Sequence, residues 1–365
     1  MGRNTRKTLL LLAAIGLMVA ACRRDPAEVV APGTPGTGVD PDLAAMPYDS
    51  LSTYGFFVGN MADQVPAEGL LPYAPITPLY SDGAHKIRFV WMPASTSASY
   101  VSDGEVLDFP EGTILIKTFH FDRVLPADAR RIVETRLLFR RNGEWHFADY
   151  VWNEAQTEAV LDLSGSVTPI EHIDENGQTR QVNYRIPAQA ECWTCHKSNN
   201  IPAPIGPKPR NLNTLHAYAD GVRDQLAEWE AVGYLDPAHP PVTTTVARWD
   251  DPSADMEERV RAYLDINCAH CHTDGGHCDY RPMRFSWEDT ADPVNLGRCV
   301  APHDPIFPDA TYIIAAGDPQ ASMAYRRMNT TLENQRMPLL GRTTIHEEGV
   351  QLMEQWINNL GPPCP

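Results

Sequence analysis

The sequence predicts a multidomain α+β chain: an N-terminal antiparallel β domain, a sandwich or open barrel, followed by a mostly α-helical region. Three observations predict it. Between about residues 46 and 187 the apolar residues fall into β-branched and aromatic runs bounded by turn residues. Beyond Pro187 the apolar spacing becomes helical. The 365 residues suffice for two or three domains, and 32 prolines and 24 glycines imply many turns between elements.

In the β region, "HKIRFVWMP" (85–93), "GTILIKTFHF" (112–121) and "RRIVETRLLFRR" (130–141) read as strands. Asn142-Gly143 between apolar runs is a strong hairpin signal, and Asn176-Gly177 repeats it. Residues 150–161 read as a short helix or loop packed over the sheet. After Pro187, residues 221–235 place Val222, Leu226, Trp229 and Val232 at helical spacing, with Trp229 in the core. A second helix opens near Ser253, a candidate cap, and puts Val260, Leu264, Cys268 and Cys271 on one face. A last amphipathic helix turns Val350, Met353, Trp356, Ile357 and Leu360 inward and stops at Gly361.

The chain begins with basic Arg3, Arg6 and Lys7, then a 13-residue apolar run ending in "VAAC" at Cys22. The run is too short to span a bilayer and has the size of a signal-peptide core. With small residues leading into the cysteine, it resembles a bacterial lipoprotein lipobox, which implies lipidation at Cys22. An ordinary signal peptide cut near Ala21 is the alternative. Arg23, where inner-membrane retention would favour Asp, points to the outer membrane by that resemblance. Residues 22–45 are rich in Pro, Gly and Thr and read as a flexible tether. The organisation expected is therefore signal peptide 1–21, tether 22–45, β-rich domain 46–188, and two further regions at 189–250 and 251–365. The formal net charge of −17 argues against nucleic acid or an anionic lipid surface as partner. The membrane is then reached through a lipid anchor only.

Two motifs carry the chemistry. "CWTCH" (192–196) and "CAHCH" (268–272) both read Cys-x-x-Cys-His. Composition alone predicts about 0.006 such matches, so the pattern has a cause. Zinc needs a closed set of four ligands, but not a histidine directly after each second cysteine. A redox dithiol is expected once, near a βαβ unit. Covalent haem explains every position. Two cysteines form thioethers, and the adjacent histidine reaches the iron. Cys192 and Cys195 with His196 are thus expected to hold haem 1, and Cys268 and Cys271 with His272 haem 2, giving two covalently bound haem c. His270 is read as a spacer.

The second region resembles a class I cytochrome c domain: a helix leading into "CAHCH", a long loop, "RMPLLGR", then an amphipathic helix. In that family a methionine from the late loop closes the other face of the iron. Met337 matches it, with Met328 and Met323 as rivals. Haem 1 lacks that framework. Its distal candidates are His216, His239, Met256, His120, His146 and Met92, or an empty position. Of the remaining cysteines, Cys278–Cys299 is the local disulfide choice, and Cys364 can replace either.

Across roughly residues 50–360, "ITPLYSDGAHKIRFVWMP", "FPEGTILIKTF", "YVWNEAQTEA", "IGPKPRNLN", "RAYLDINCAHCH" and "MPLLGRTTIHEEGVQLMEQWI" together resemble a family of bacterial dihaem c-type cytochrome lipoproteins. The resemblance implies haem chemistry and an envelope location, and brings no known reaction. No Ser-His-Asp set, P-loop or dinucleotide fingerprint argues for an enzyme, and no catalytic residue is assigned. The function expected is electron transfer with redox partner proteins, at the outer membrane facing the periplasm. The alternative is a dihaem redox enzyme, peroxidase or oxidase-like, acting at an open haem 1 iron. The β domain could serve either as a binding module.

Overall fold

The computed structural model describes residues 38–365. The expected signal segment, Cys22 and most of the expected tether lie outside the described residues. The end of the expected tether is packed: Val39 is buried with Leu43 beside it, and Arg141 donates to the carbonyls of Leu43 and Met46.

The chain is mixed, with 26% of residues in strands and 19% in helices, so sheet predominates. The strands are β1 (Leu71–Pro72), β2 (His85–Trp91), β3 (Ile114–Val124), β4 (Ala129–Arg141), β5 (Glu144–Trp152), β6 (Ala159–Leu161), β7 (Ser166–Ile173) and β8 (Thr179–Ile186). All eight join one antiparallel sheet in the order β1-β2-β3-β4-β5-β6, with the β7–β8 hairpin attached to the end of β3. Asn142 and Gly143 form the two-residue turn between β4 and β5, both at positive φ as this turn type requires. Residues 150–161, read as helix or loop, are instead the end of β5, a turn and β6. Tyr150, Val151 and Trp152 pair with Leu161, Val160 and Ala159.

Both faces of the sheet are covered, which is why the central strands are apolar on both sides. One face carries Phe89, Ile116, Leu137 and Tyr150 and packs under Met46, Leu51 and Phe56 from the N-terminal segment. The other carries Val90, Leu115, Leu138 and Phe147 and packs under Leu212, Leu226, Trp229 and Leu235 from beyond Pro187. That second face also forms a wall of the functional cavity described below.

Beyond Pro187 the chain is rich in loops, not mostly helical. α1 (Gln189–Cys195) precedes a small hairpin, β9 (Lys197–Ser198) and β10 (Ile201–Pro202). Then come α2 (Pro209–Leu212), the hairpin β11 (Leu215–Tyr218) and β12 (Gly221–Asp224), and α3 (Gln225–Ala231). The helix expected over 221–235 therefore starts late. Asp224 caps it by accepting from the Ala227 amide at 2.9 Å, while Val222 lies exposed on β12. α4 (Met256–Leu264) is capped by Asp255, which accepts from Glu258 N at 3.1 Å; Ser253 instead bonds Asp251. α5 (Met323–Met328) and α6 (Glu347–Asn359) complete the chain, with Val350, Met353, Trp356 and Ile357 of α6 buried as expected. Among the described residues no helix is long and apolar enough to cross a membrane.

Two buried polar residues tie the late loop to the body. The Asp82 carboxylate accepts from the amides of Thr343 and Thr344 at 2.7 and 2.8 Å and from both hydroxyls. The Arg342 guanidinium donates to the carbonyls of Arg327, Met328, Met337 and Thr344. Together they fix the loop that carries Met337.

Candidate functional site

The first motif lies on α1 and just past its end. Glu191 holds the start of that helix, accepting from the Ala188 amide at 3.0 Å and pairing with Arg185 at 2.5 Å. His196 ends it, its amide bonded to Cys192 O, with its ring 5.3 Å from that of Phe147 on the sheet. The second motif follows α4 through a π turn, Asp265–Ala269, that contains Cys268. Such turns re-aim side chains and recur at functional sites. His272 is buried, its ring 5.4 Å from Phe285.

Each motif borders a cavity. The first meets Cys192, Cys195, His196, Phe147, Met337 and His346. The second meets Cys268, Cys271, His272, Cys278, Met323 and Met337. The two adjoin: Cys195, Asn267, Cys268, His270, Met328 and Met337 line both. The motif loops also touch directly. The Asn199 amide donates to Gly275 O at 2.9 Å, and the Cys271 thiol faces Thr194 O at 3.5 Å. Gly275 has φ +73°, and a Cβ there would meet Asn199 Oδ1 at 2.5 Å, so only glycine permits this approach.

The electrostatics separate the cysteines into two pairs. Burial pushes the Cys192 and Cys268 thiols up to about 12, so both are neutral. The Cys195 and Cys271 thiols lie within 4.8 Å of each other, and their interaction pulls Cys195 down and pushes Cys271 up. With His270 they form the group able to hold a metal ion, its ligand atoms all within 4.8 Å of one another. His270 is thus more than a spacer in position: it stands at the seam between the motifs. Cys192 and Cys268 are not in that group, so the four-thiolate zinc site weighed from sequence is not formed.

The residues present fit the covalent haem that the motifs imply. Each cavity is mostly apolar, and each is bordered by its own cysteine pair. The Nδ1 atoms of His196 and His272 are buried without a partner. Burial lowers both imidazoles, His272 to about 4, so each is neutral as a metal ligand must be.

The other sequence candidates separate sharply. Met323 lines the second cavity, and Met328 and Met337 line both. His216 packs on Tyr218, His239 pairs with Glu230, His120 with Asp122, and His146 stacks on Phe139. Neither these nor Met92 and Met256 line the first cavity. His346 does. Its Nδ1 meets Tyr263 Oη at 2.9 Å, and its ring stacks on Tyr80 at 4.0 Å. Sequence reasoning passed over it because "TTIHEEG" reads only as the start of a helix.

The disulfide expectation is corrected. Cys299 pairs with Cys364, their Cα atoms 5.3 Å apart, and Cys278 is a buried free thiol on the second cavity. The Cys278 amide donates to Cys271 O at 2.9 Å, which holds Cys278 at the motif. No family model, curated protein or solved structure matches this chain.

Proposed function

We propose that the chain is a dihaem c-type cytochrome that transfers electrons in the bacterial cell envelope, lipid-anchored through Cys22 at the outer membrane and facing the periplasm. The observation that carries the reading is that two cavities share a wall, the first holding both cysteines and the histidine of one Cys-x-x-Cys-His motif and the second those of the other. The resemblance to dihaem cytochrome lipoproteins, and of the last region to class I cytochrome c, supports it.

On this reading Cys192, Cys195, Cys268 and Cys271 would hold the two groups through thioether bonds. His196 and His272 would supply one iron ligand each, and Met337 would supply the second for haem 2. The bound groups supply one-electron exchange. The chain itself excludes water with its apolar walls, fixes Met337 through Arg342, and holds the two motifs in contact through Asn199 and Gly275. Redox partner proteins supply and accept the electrons.

A second reading, a dihaem redox enzyme acting at an open haem 1 iron, is favoured by one observation. None of the haem 1 distal ligands expected from sequence lines the first cavity, although His346, Met328 and Met337 do. Carbon monoxide separates the two. A carrier with both irons six-coordinate resists it when reduced and shows negligible peroxide turnover. Carbon monoxide binding at haem 1 with peroxide turnover establishes the enzyme instead.

A further inference from the structure

The sheet wall of the first cavity carries a row of cations that the proposed function does not use. Arg88 on β2, Lys117 on β3 and Arg136 on β4 are direct cross-strand neighbours, and Asp149 on β5 continues the row. Like charges in opposed positions repel, and an enclosed cation without a counter-charge is costly. The carboxylates on this face do not relieve the whole row. Glu134 takes both forks of Arg136, at 2.8 and 2.6 Å, and Asp149 stands 3.7 Å from the same guanidinium. Lys117 and Arg88 have no carboxylate within ion-pair distance among the described residues, and Lys117 lies over the Phe119 ring, 5.2 Å from its centre.

The row faces space. Lys117 and Arg136 line the first cavity, and Lys117 and Arg88 line an adjoining one of 750 Å³. His196 borders both, so the unpaired ammonium lies on the same walls as the histidine of the first motif. Enclosure, with Arg136 and Arg88 beside it, pulls Lys117 down to about 7. That is the condition of an ammonium lacking its counter-ion, and an anion seated against it would restore its charge.

We propose that Lys117, which lines both the first cavity and the adjoining one, and Arg88 beside it on the adjoining one form a receptor for carboxylate or oxyanion groups, Arg136 being held by Glu134. Two sources share this chemistry. One is the pair of propionates of a haem in the first cavity, and this source rests on the cytochrome reading. The other is a small free anion entering the adjoining cavity.

The test uses the full haem-loaded protein, with Lys117→Met and, as the conservative rescue, Lys117→Arg. Pyridine haemochrome absorbance first counts the haems. Potentiometric titration then follows haem 1, and calorimetry follows acetate and inorganic sulfate. If propionates fill the receptor, Lys117→Met lowers the haem 1 potential and leaves haem 2 unchanged. Lys117→Arg restores haem 1, and neither anion binds. If a free anion fills it, acetate or sulfate binds wild type saturably, about tenfold more weakly in Lys117→Met, and again normally in Lys117→Arg. A wild type with two haems, an unshifted potential in Lys117→Met and no saturable anion binding overturns the proposal while leaving the cytochrome reading intact. Fewer than two haems defeats that reading, and wild-type calorimetry alone then decides the receptor: saturable binding supports it, and none overturns it.

Discussion

Cys195 and Cys271, one from each Cys-x-x-Cys-His motif, hold their Sγ atoms within 4.8 Å of each other at the seam between the two cavities. Residues separated by a long stretch of sequence are thereby neighbours. The close approach depends on Gly275, whose φ of +73° and lack of a Cβ admit Asn199. Gly275→Ala should cost about 1–3 kcal/mol through backbone strain and the contact with Asn199, measured by denaturant unfolding. Unchanged stability would show that the two loops do not need this contact.

Hydrogen bonds with its neighbours hold the Met337 backbone. Arg342 donates to Met337 O at 2.9 Å, and the Met337 amide donates to Arg327 O at 2.9 Å. A thioether favours the reduced iron, so Met337→His should lower the haem 2 potential, and Met337→Ala should let carbon monoxide bind there. Arg342→Met should weaken the same ligation, seen as partial loss of the methionine–iron absorption, because several carbonyls lose their donor together. An unchanged haem 2 spectrum in Met337→Ala would transfer the role to Met328 or Met323, both of which line the second cavity.

His346 makes stability depend on pH in a defined window. Burial, then Lys86 and Arg342, lowers its imidazole from 6.5 to about 3. The unfolded chain takes up the proton first, so stability falls as pH drops from about 6.5 towards 3 and is unaffected above that range. Side-chain exposure of only 11% leaves little solvent screening. His346→Gln, which can still bond Tyr263, should flatten this part of the profile by an amount on the order of a few kcal/mol. Parallel profiles for the two proteins between pH 6.5 and 3 would contradict the assignment.

The Cys299–Cys364 bridge closes a sequence separation of 65 residues and pins the C-terminus beside Ile314, whose carbonyl faces Cys364. Cys364→Ser should cost about 4 kcal/mol on the chain-entropy account. Cys278→Ser should leave the bridge intact on a non-reducing peptide map. A Cys278–Cys299 peptide in wild type would overturn this pairing.

What could be read from sequence was whatever local chemistry determines. Asn142-Gly143 admits positive φ, so the β4–β5 turn was readable, and the spacing of Val350, Met353, Trp356 and Ile357 gave α6. The helix expected over 221–235 failed because Gly221 and Val222 pair with Tyr218 and Ala217, a hairpin that apolar spacing alone does not reveal. Ser253 and Asp255 are both good caps, and only the observed bond to Glu258 decides between them. The residues gathered around the first cavity were harder to foresee. His346, Lys117 and Cys195 come from distant parts of the chain, and their meeting is a tertiary fact. One signal was present: Lys86 and Arg88 alternate with apolar residues in β2, and Lys117 interrupts the apolar run of β3, which marks an inward face that carries charge.

The central claim is that each motif holds one covalent group. Intact and peptide mass spectrometry on protein from a maturation-competent host tests it most directly. The account predicts two haem additions, one on the peptide containing Cys192 and Cys195 and one on that containing Cys268 and Cys271. Free thiols at these four positions, with a metal ion bound by Cys195, His270 and Cys271, would contradict it.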